Sequence, residues 1–182
     1  MKKKLTGAEW LSVIQELAKA LPPDKQRRVT VIGGVAMILE YGAKRTTDDM
    51  DVIILRPDIA KEVQDAALQV QAIFGLDADW LNQKAVEANL IRHPHSADDH
   101  VVFANDSLAV AVPSPEHMLA MKLTAYRREK DMRDARLLVN VLRCRGMTDV
   151  EDVWTAAGGF VPVAKQATAR YNLLDLWDRY FP

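Results

Sequence analysis

The sequence predicts an α/β (α+β) fold, a small mixed β-sheet flanked by helices and followed by an all-helical C-terminal region. Two β-branched runs, 28–32 and 50–55, surround the pair Gly33-Gly34 and the acidic residues Asp48, Asp49 and Asp51. Two more β-type runs, 101–104 and 108–112, flank Asn105-Asp106-Ser107, a hairpin signal. After Pro113 the apolar residues recur at helical spacing almost to the end of the chain.

Taken in order, Thr6-Gly7-Ala8-Glu9 reads as a capping box opening a helix to about Ala20, with Trp10, Val13, Ile14 and Leu17 on one face. Leu21-Pro22-Pro23-Asp24 ends it. Strand 28–32 leads through the glycines into a helix over 35–41, with Gly42 as its C-cap. Strand 50–55 is broken by Arg56-Pro57-Asp58, and 60–73 and 78–90 have the length of helices. The segment 93–99 is polar and turn-like. Ser114-Pro115-Glu116 is a helix start, with N-cap, proline at the first position and an acid in the first turn. Helices over 116–126 and 130–144 follow, then a second capping box at Thr148-Asp149-Val150-Glu151 and a last helix over 163–180. The shift in composition at Pro113 divides the chain into an α/β core, 1–112, and a C-terminal helical region, 113–182, that closes the cleft.

A chain of 182 residues, 49% hydrophobic and 27% charged, can bury a full core. A net charge of −1 gives no overall attraction to nucleic acid or to an anionic membrane. An RNA substrate would need a local basic patch. The densest basic stretch runs from Tyr126 to Arg145, but interleaved acids weaken it. Cys144 is the single cysteine, which rules out an intrachain disulfide and a cysteine-based zinc site and fits a reducing cytoplasm. Met1-Lys2-Lys3-Lys4 is basic with no long apolar run behind it, so neither a signal peptide nor a membrane span is expected.

The chemistry concentrates in the first half. Alternation along a strand sends Asp49 and Asp51 to one face, about 7 Å apart at ~3.3 Å per residue, with Met50 and Val52 entering the core. Such paired carboxylates suit hard divalent cations, and paired metals clamp the entering and leaving oxygens of phosphoryl transfer. Gly33 and Gly34 let the backbone approach a phosphate because no Cβ intrudes. Arg45 and Thr47 lead into the acidic strand, and Thr47 shares the face of Asp49. An ordinary turn beside an acidic strand end is the plain alternative for either half alone. Together they describe a nucleoside triphosphate site.

The order of glycine pair, short helix and Asp-x-Asp resembles the DNA polymerase β-type nucleotidyltransferase superfamily. More narrowly, Gly33-Gly34-Val35-Ala36 with Arg45-Thr46-Thr47-Asp48-Asp49-Met50-Asp51 resembles the bacterial AbiEii/MNT-like nucleotidyltransferases, many of them toxins of toxin–antitoxin or abortive-infection systems. Asp79-Trp80-Leu81-Asn82 is similar to a segment of an uncharacterised branch of that group. The run from Leu119 through Lys122 to Asp131 and Asp134 is similar to its helical Lys…Asp-x-x-Asp motif.

The resemblance implies a metal-dependent transfer of NMP from an NTP to RNA such as a tRNA end, to a protein hydroxyl or to a small molecule such as an aminoglycoside. Mg2+ or Mn2+ would be held by Asp49 and Asp51, with Gly33, Gly34, Arg45, Thr47 and Lys122 on the phosphates. Asp131 or Asp134 would assist the nucleophile, and an antitoxin is an implied partner. Lys122 is expected at a cleft edge with its stem packed and its ammonium free, the alternative being a solvated helical lysine. The family commonly carries a third carboxylate on a later strand, yet 101–104 and 108–112 hold none; Asp99 and Asp106 only flank them. A catalytically weak module that binds nucleotide or a protein partner is therefore the second reading. His93, His95 and His100 read as a solvated loop, since Pro94 and their spacing suit no metal cluster.

Overall fold

The computed structural model describes residues 2–87 and 98–181. Its elements are α1 (Gly7–Ala20), β1 (Arg27–Ile32), α2 (Gly33–Leu39), β2 (Met50–Ile53), α3 (Pro57–Phe74), β3 (Leu81–Asn82), α4 (Lys84–Glu87), β4 (His100–Ala104), β5 (Leu108–Val112), α5 (Pro115–Ala125), α6 (Arg128–Cys144), α7 (Val150–Ala157) and α8 (Gln166–Tyr180), with two 3-10 turns between α7 and α8. Contacts divide the described chain into two units, 2–85 with 98–113, and 86–87 with 114–181.

The first unit is a five-stranded mixed sheet in the order β3-β2-β1-β5-β4. β1 is the hub: it runs antiparallel to β2, with Ile32 opposite Asp51, and parallel to β5. β4 and β5 form the hairpin expected from Asn105-Asp106-Ser107, where the Asn105 side-chain oxygen accepts from the Ser107 and Leu108 backbone N–H groups. Alternation sorts the strands by face. Val29, Val31, Met50, Val52, Leu81 and Val110 share one face and are all buried. Thr30, Ile32, Asp51, Asn82 and Ala111 share the other. α1 packs on α2 and α3, and α2 on β1 and β2.

Local chemistry sets the helix ends. Thr6 and Glu9 complete the capping box of α1. Pro57, read from sequence as a breaker of β2, does end the strand run but also occupies the first turn of α3, where its missing N–H costs nothing. Gly42 is not the C-cap of α2, which ends at Glu40. At α7 the N-cap is Asp149, accepting from Asp152 N–H, rather than Thr148.

The largest departure from the sequence reading is at 78–90, expected as a helix. Residues 78–80 form a turn, Leu81 and Asn82 pair in parallel with Met50 and Asp51, and only 84–87 are helical; 88–90 lie outside the described residues, as do His93 and His95. Tertiary pairing outweighs local propensity here. The Met50 N–H donates to the Trp80 carbonyl at 2.6 Å, and the Trp80 ring stacks on Trp10 with its indole N–H on the Ala67 carbonyl. A two-residue strand is too short to leave a period in the sequence.

The second unit is helical and centred on α5. Met118, Leu119, Ala120 and Leu123 are buried on it, with α6, α7 and α8 packed around. Tyr126 ends α5 in the left-handed region at φ 30°, an uncommon conformation for a side-chain-bearing residue, and α6 folds back along α5. Asn172 of α8 donates to the Leu123 carbonyl at 2.9 Å.

Candidate active site

The acidic strand and the glycine turn meet because β1 and β2 are neighbours. The antiparallel register that sets Asp51 opposite Ile32 puts its carboxylate at the start of α2. Gly33 has φ 66°, a backbone state that L side chains rarely adopt. A Cβ on Gly33 would lie 2.6 Å from Asp51 Oδ2, so the glycine is what leaves room for that carboxylate. A Cβ on Gly34 would lie 2.8 Å from Thr47 Oγ1. Thr47 is buried and fixed through its backbone, whose N–H and C=O both pair with Leu5. Its hydroxyl donates to Asp49 Oδ1 at 3.2 Å. Gly33, Gly34, Thr47, Asp49 and Asp51 are thus joined at one corner of the sheet, with Asp49 and Asp51 half-buried. Arg45, also half-buried, lies in the loop that leads to Thr47.

This corner offers hard oxygens from two carboxylates and a hydroxyl, and an approach that side-chain bulk would fill. Such a donor set fits Mg2+ or Mn2+, which keep several waters and take few carboxylates when phosphates complete the shell. It does not make a three-carboxylate centre: among the described residues no group of three or more His, Cys, Asp or Glu side chains could hold a metal, and Asp51 is the only carboxylate on a strand. β4 and β5 carry none, and neither borders β2, whose neighbours are β1 and β3. The Asp99 carboxylate is buried ahead of β4, with Arg28 Nη2 at 3.7 Å. Asp106 sits in the hairpin turn beside the start of β1, the end away from Gly33. His100 Nδ1 pairs with Glu40.

A cationic edge flanks the corner that sequence reading did not find. Asp79 accepts from Lys84 at 2.8 Å and from Lys2 at 3.0 Å. Hydrogen bonds from these two ammonium groups hold its carboxyl down to about 2. The hydrogen bond to Asp79 and, more weakly, the charge of Asp49 raise the Lys84 ammonium above the ordinary lysine value. No spacing rule links Lys2 to Lys84; only the fold brings them to one carboxylate.

The helical residues form their own cluster in the second unit. Lys122 Nζ lies 2.7 Å from Asp134 and 3.3 Å from Asp131, and all three side chains are buried. The sequence reading left this ammonium free at a cleft edge; instead it is enclosed and doubly paired. The helix α6 supplies both acids at i and i+3 toward the same lysine. Asp131 also accepts from the Arg127 backbone N–H at 2.7 Å and from its guanidinium at 3.1 Å, so its buried carboxylate is tied to an exposed arginine as well as to Lys122. Burial opposes the Asp131 charge, yet Lys122 and Arg127 together hold its carboxyl below the usual range.

The family model described as "Nucleotidyltransferase of unknown function (DUF6036)" matches residues 8–149, which take in the glycine turn, the acidic strand and the Lys122–Asp134 cluster. The chain belongs to this nucleotidyltransferase family. No curated protein and no solved structure matches it significantly. The membership stands at the level of nucleotidyltransferase, coarser than the AbiEii/MNT-like subtype that the motifs resemble.

Within this family's chain, the glycines are testable. Gly33→Ala should cost about 1–2 kcal/mol of stability, the usual penalty for a side chain in the left-handed region. It should also push the Asp51 carboxylate aside, and misplacement of about 1 Å at a reacting centre costs roughly a hundredfold in rate. Thermal melts and nucleotidyl transfer measured on the same preparation check both parts.

Proposed function

We propose that this DUF6036 nucleotidyltransferase transfers NMP from an NTP to an acceptor, with Asp49 and Asp51 holding Mg2+ or Mn2+. The observation that carries the reading is the Asp51 carboxylate set against Gly33 where any Cβ would displace it, with Thr47 tying Gly34 to Asp49. A divalent cation bound there would neutralise phosphate charge and act as a Lewis acid on the phosphoryl oxygens. The glycine backbone then receives the phosphates, and Arg45 and Thr47 orient them. An acceptor oxygen attacks the α-phosphorus in line, and the bond to pyrophosphate breaks. Positioning and charge neutralisation supply most of the rate, since the protein has little covalent chemistry to perform.

Lys122, Asp131 and Asp134, to which the motif resemblance gives phosphate and nucleophile roles, lie enclosed in their own buried ion-pair cluster, so the proposal rests on Gly33, Gly34, Asp49 and Asp51. The motif resemblance extends the reading to RNA, protein or small-molecule acceptors and to a toxin paired with an antitoxin. No helix among the described residues is long and apolar enough to cross a membrane.

One observation favours a second reading, a nucleotide- or partner-binding module of low activity: Asp51 is the only carboxylate on the described strands. Incubation of the protein with each α-labelled NTP, Mg2+ and cellular RNA or protein separates the two. Label on an acceptor, lost in Asp49→Ala and Asp51→Ala, supports the transferase. Nucleotide bound but never transferred, with a partner co-purifying, supports the module. Release of free phosphate alone would point to hydrolysis.

A further inference from the structure

The strand that the sequence did not reveal puts a second polar side chain beside Asp51. β3 runs parallel to β2 in the register Met50 with Leu81 and Asp51 with Asn82. Laterally paired residues share a face and stand on backbones about 4.8 Å apart. Burial agrees with that assignment: Met50 and Leu81 are both buried on one side, while Asp51 and Asn82 are both half-buried on the other. Asn82 is therefore the lateral neighbour of the carboxylate that the glycine turn accommodates. β1, the other neighbour of β2, offers only Ile32 at the same level.

The carboxamide is held but not used up. Its oxygen accepts from the Lys84 N–H at 3.1 Å, leaving a second lone pair, and its NH2 reaches only the Asp79 carbonyl at 3.5 Å. The Lys84 bond fixes the side chain as a short turn at the start of α4, a pre-set orientation that suits a ligand group.

Resting on the nucleotidyl-transfer reading above, we propose that Asn82 is the third polar contact of the cation–triphosphate site, lending a neutral amide oxygen beside Asp51. Two carboxylates and one amide attract a bare divalent cation less than three carboxylates do. The site is then built to take the cation together with the nucleotide, whose phosphates supply the missing charge. Asn82 cannot accept a proton at neutral pH, so its part is holding and orienting.

The test is Asn82→Asp, which retains the oxygen that accepts from Lys84 N–H and so keeps the turn. Mn2+ binding is followed by the loss of the free-ion paramagnetic signal, without any turnover, in wild type, Asn82→Asp, Asp51→Asn and the double variant. The expected result is a gain of about tenfold or more in Mn2+ affinity for Asn82→Asp. Its metal-free form should melt lower, since two carboxylates then stand side by side, and Mn2+ should restore the melt. The double variant should lose the gain. Unchanged Mn2+ affinity and melting in Asn82→Asp, with Asp51→Asn still abolishing the binding of Mn2+ with NTP, would make Asn82 a turn residue only and overturn this proposal while the parent reading stands. If wild type binds neither Mn2+ nor Mn2+ with NTP, the parent reading falls and this one with it.

Discussion

Asp51→Asn is expected to cut nucleotidyl transfer by about a thousandfold while leaving the fold intact. The substitution keeps the size of the side chain and its place between Ile32 and the Gly33 turn, and removes one negative charge. A metal-held phosphoryl transition state draws several kcal/mol from its ligands, and each 1.36 kcal/mol is tenfold in rate. Three decades is the consequence of losing about 4 kcal/mol of that stabilisation. Because Asp51 is half-buried and the amide has nearly the same shape, circular dichroism and the melting temperature should change little. Asp49→Asn should behave alike, with the added loss of a charged acceptor for the Thr47 hydroxyl. Transfer within tenfold of wild type in Asp51→Asn would sink the proposed site, whatever the acceptor.

Lys122→Met is expected to be the most destabilising substitution in the helical unit, by about 3–5 kcal/mol, the usual cost of breaking a buried ion pair from one side. Methionine fills much of the volume of the stem but leaves the buried Asp131 and Asp134 facing each other without their shared cation. At about 2–4 °C per kcal/mol for a chain of this size, the melting temperature should fall by roughly 10 °C. The pH dependence gives a signature that simple loss of packing would not. Asp131 has a folded-state carboxyl held below its ordinary 3.8, so its ion pairs stabilise the fold above that value and the contribution is lost as pH falls through the depressed folded value. The gap between wild type and Lys122→Met should therefore be widest near neutrality and narrow below about pH 4. An equal gap from pH 7 to pH 3 would show that packing, not charge, explains the loss. Because the stability effect is large, a phosphate role for Lys122 is better probed with Lys122→Arg, which keeps the charge.

The residues most legible in the sequence were those whose signal is local. Gly33-Gly34 after a β-branched run depends on turn chemistry, and Asp51 on the period of two along β2, both readable from neighbours in the chain; Asp49, expected on the same strand, instead lies just ahead of β2, which starts at Met50. The same holds for the capping box at Thr6 and for the hairpin at Asn105, each closed by hydrogen bonds over two or three residues. Lys122, Asp131 and Asp134 were visible as a motif, but their burial was not. A lysine beside an apolar stripe can as well snorkel to solvent as be enclosed, and only the path of α6 after Tyr126 decides which.

By itself the sequence determined the fold class, an α/β core with helices after it, and which residues carry the candidate chemistry. Those follow from periodicity and residue type, which the chain states directly. Tertiary structure alone decided that 81–82 is a strand rather than part of a helix, that Asn82 stands beside Asp51, and that Lys2 and Lys84 converge on Asp79. Those are pairings between segments far apart in the chain. Their energy comes from completing a neighbour's hydrogen bonds and burying Trp80 on Trp10, quantities that no single stretch of sequence contains.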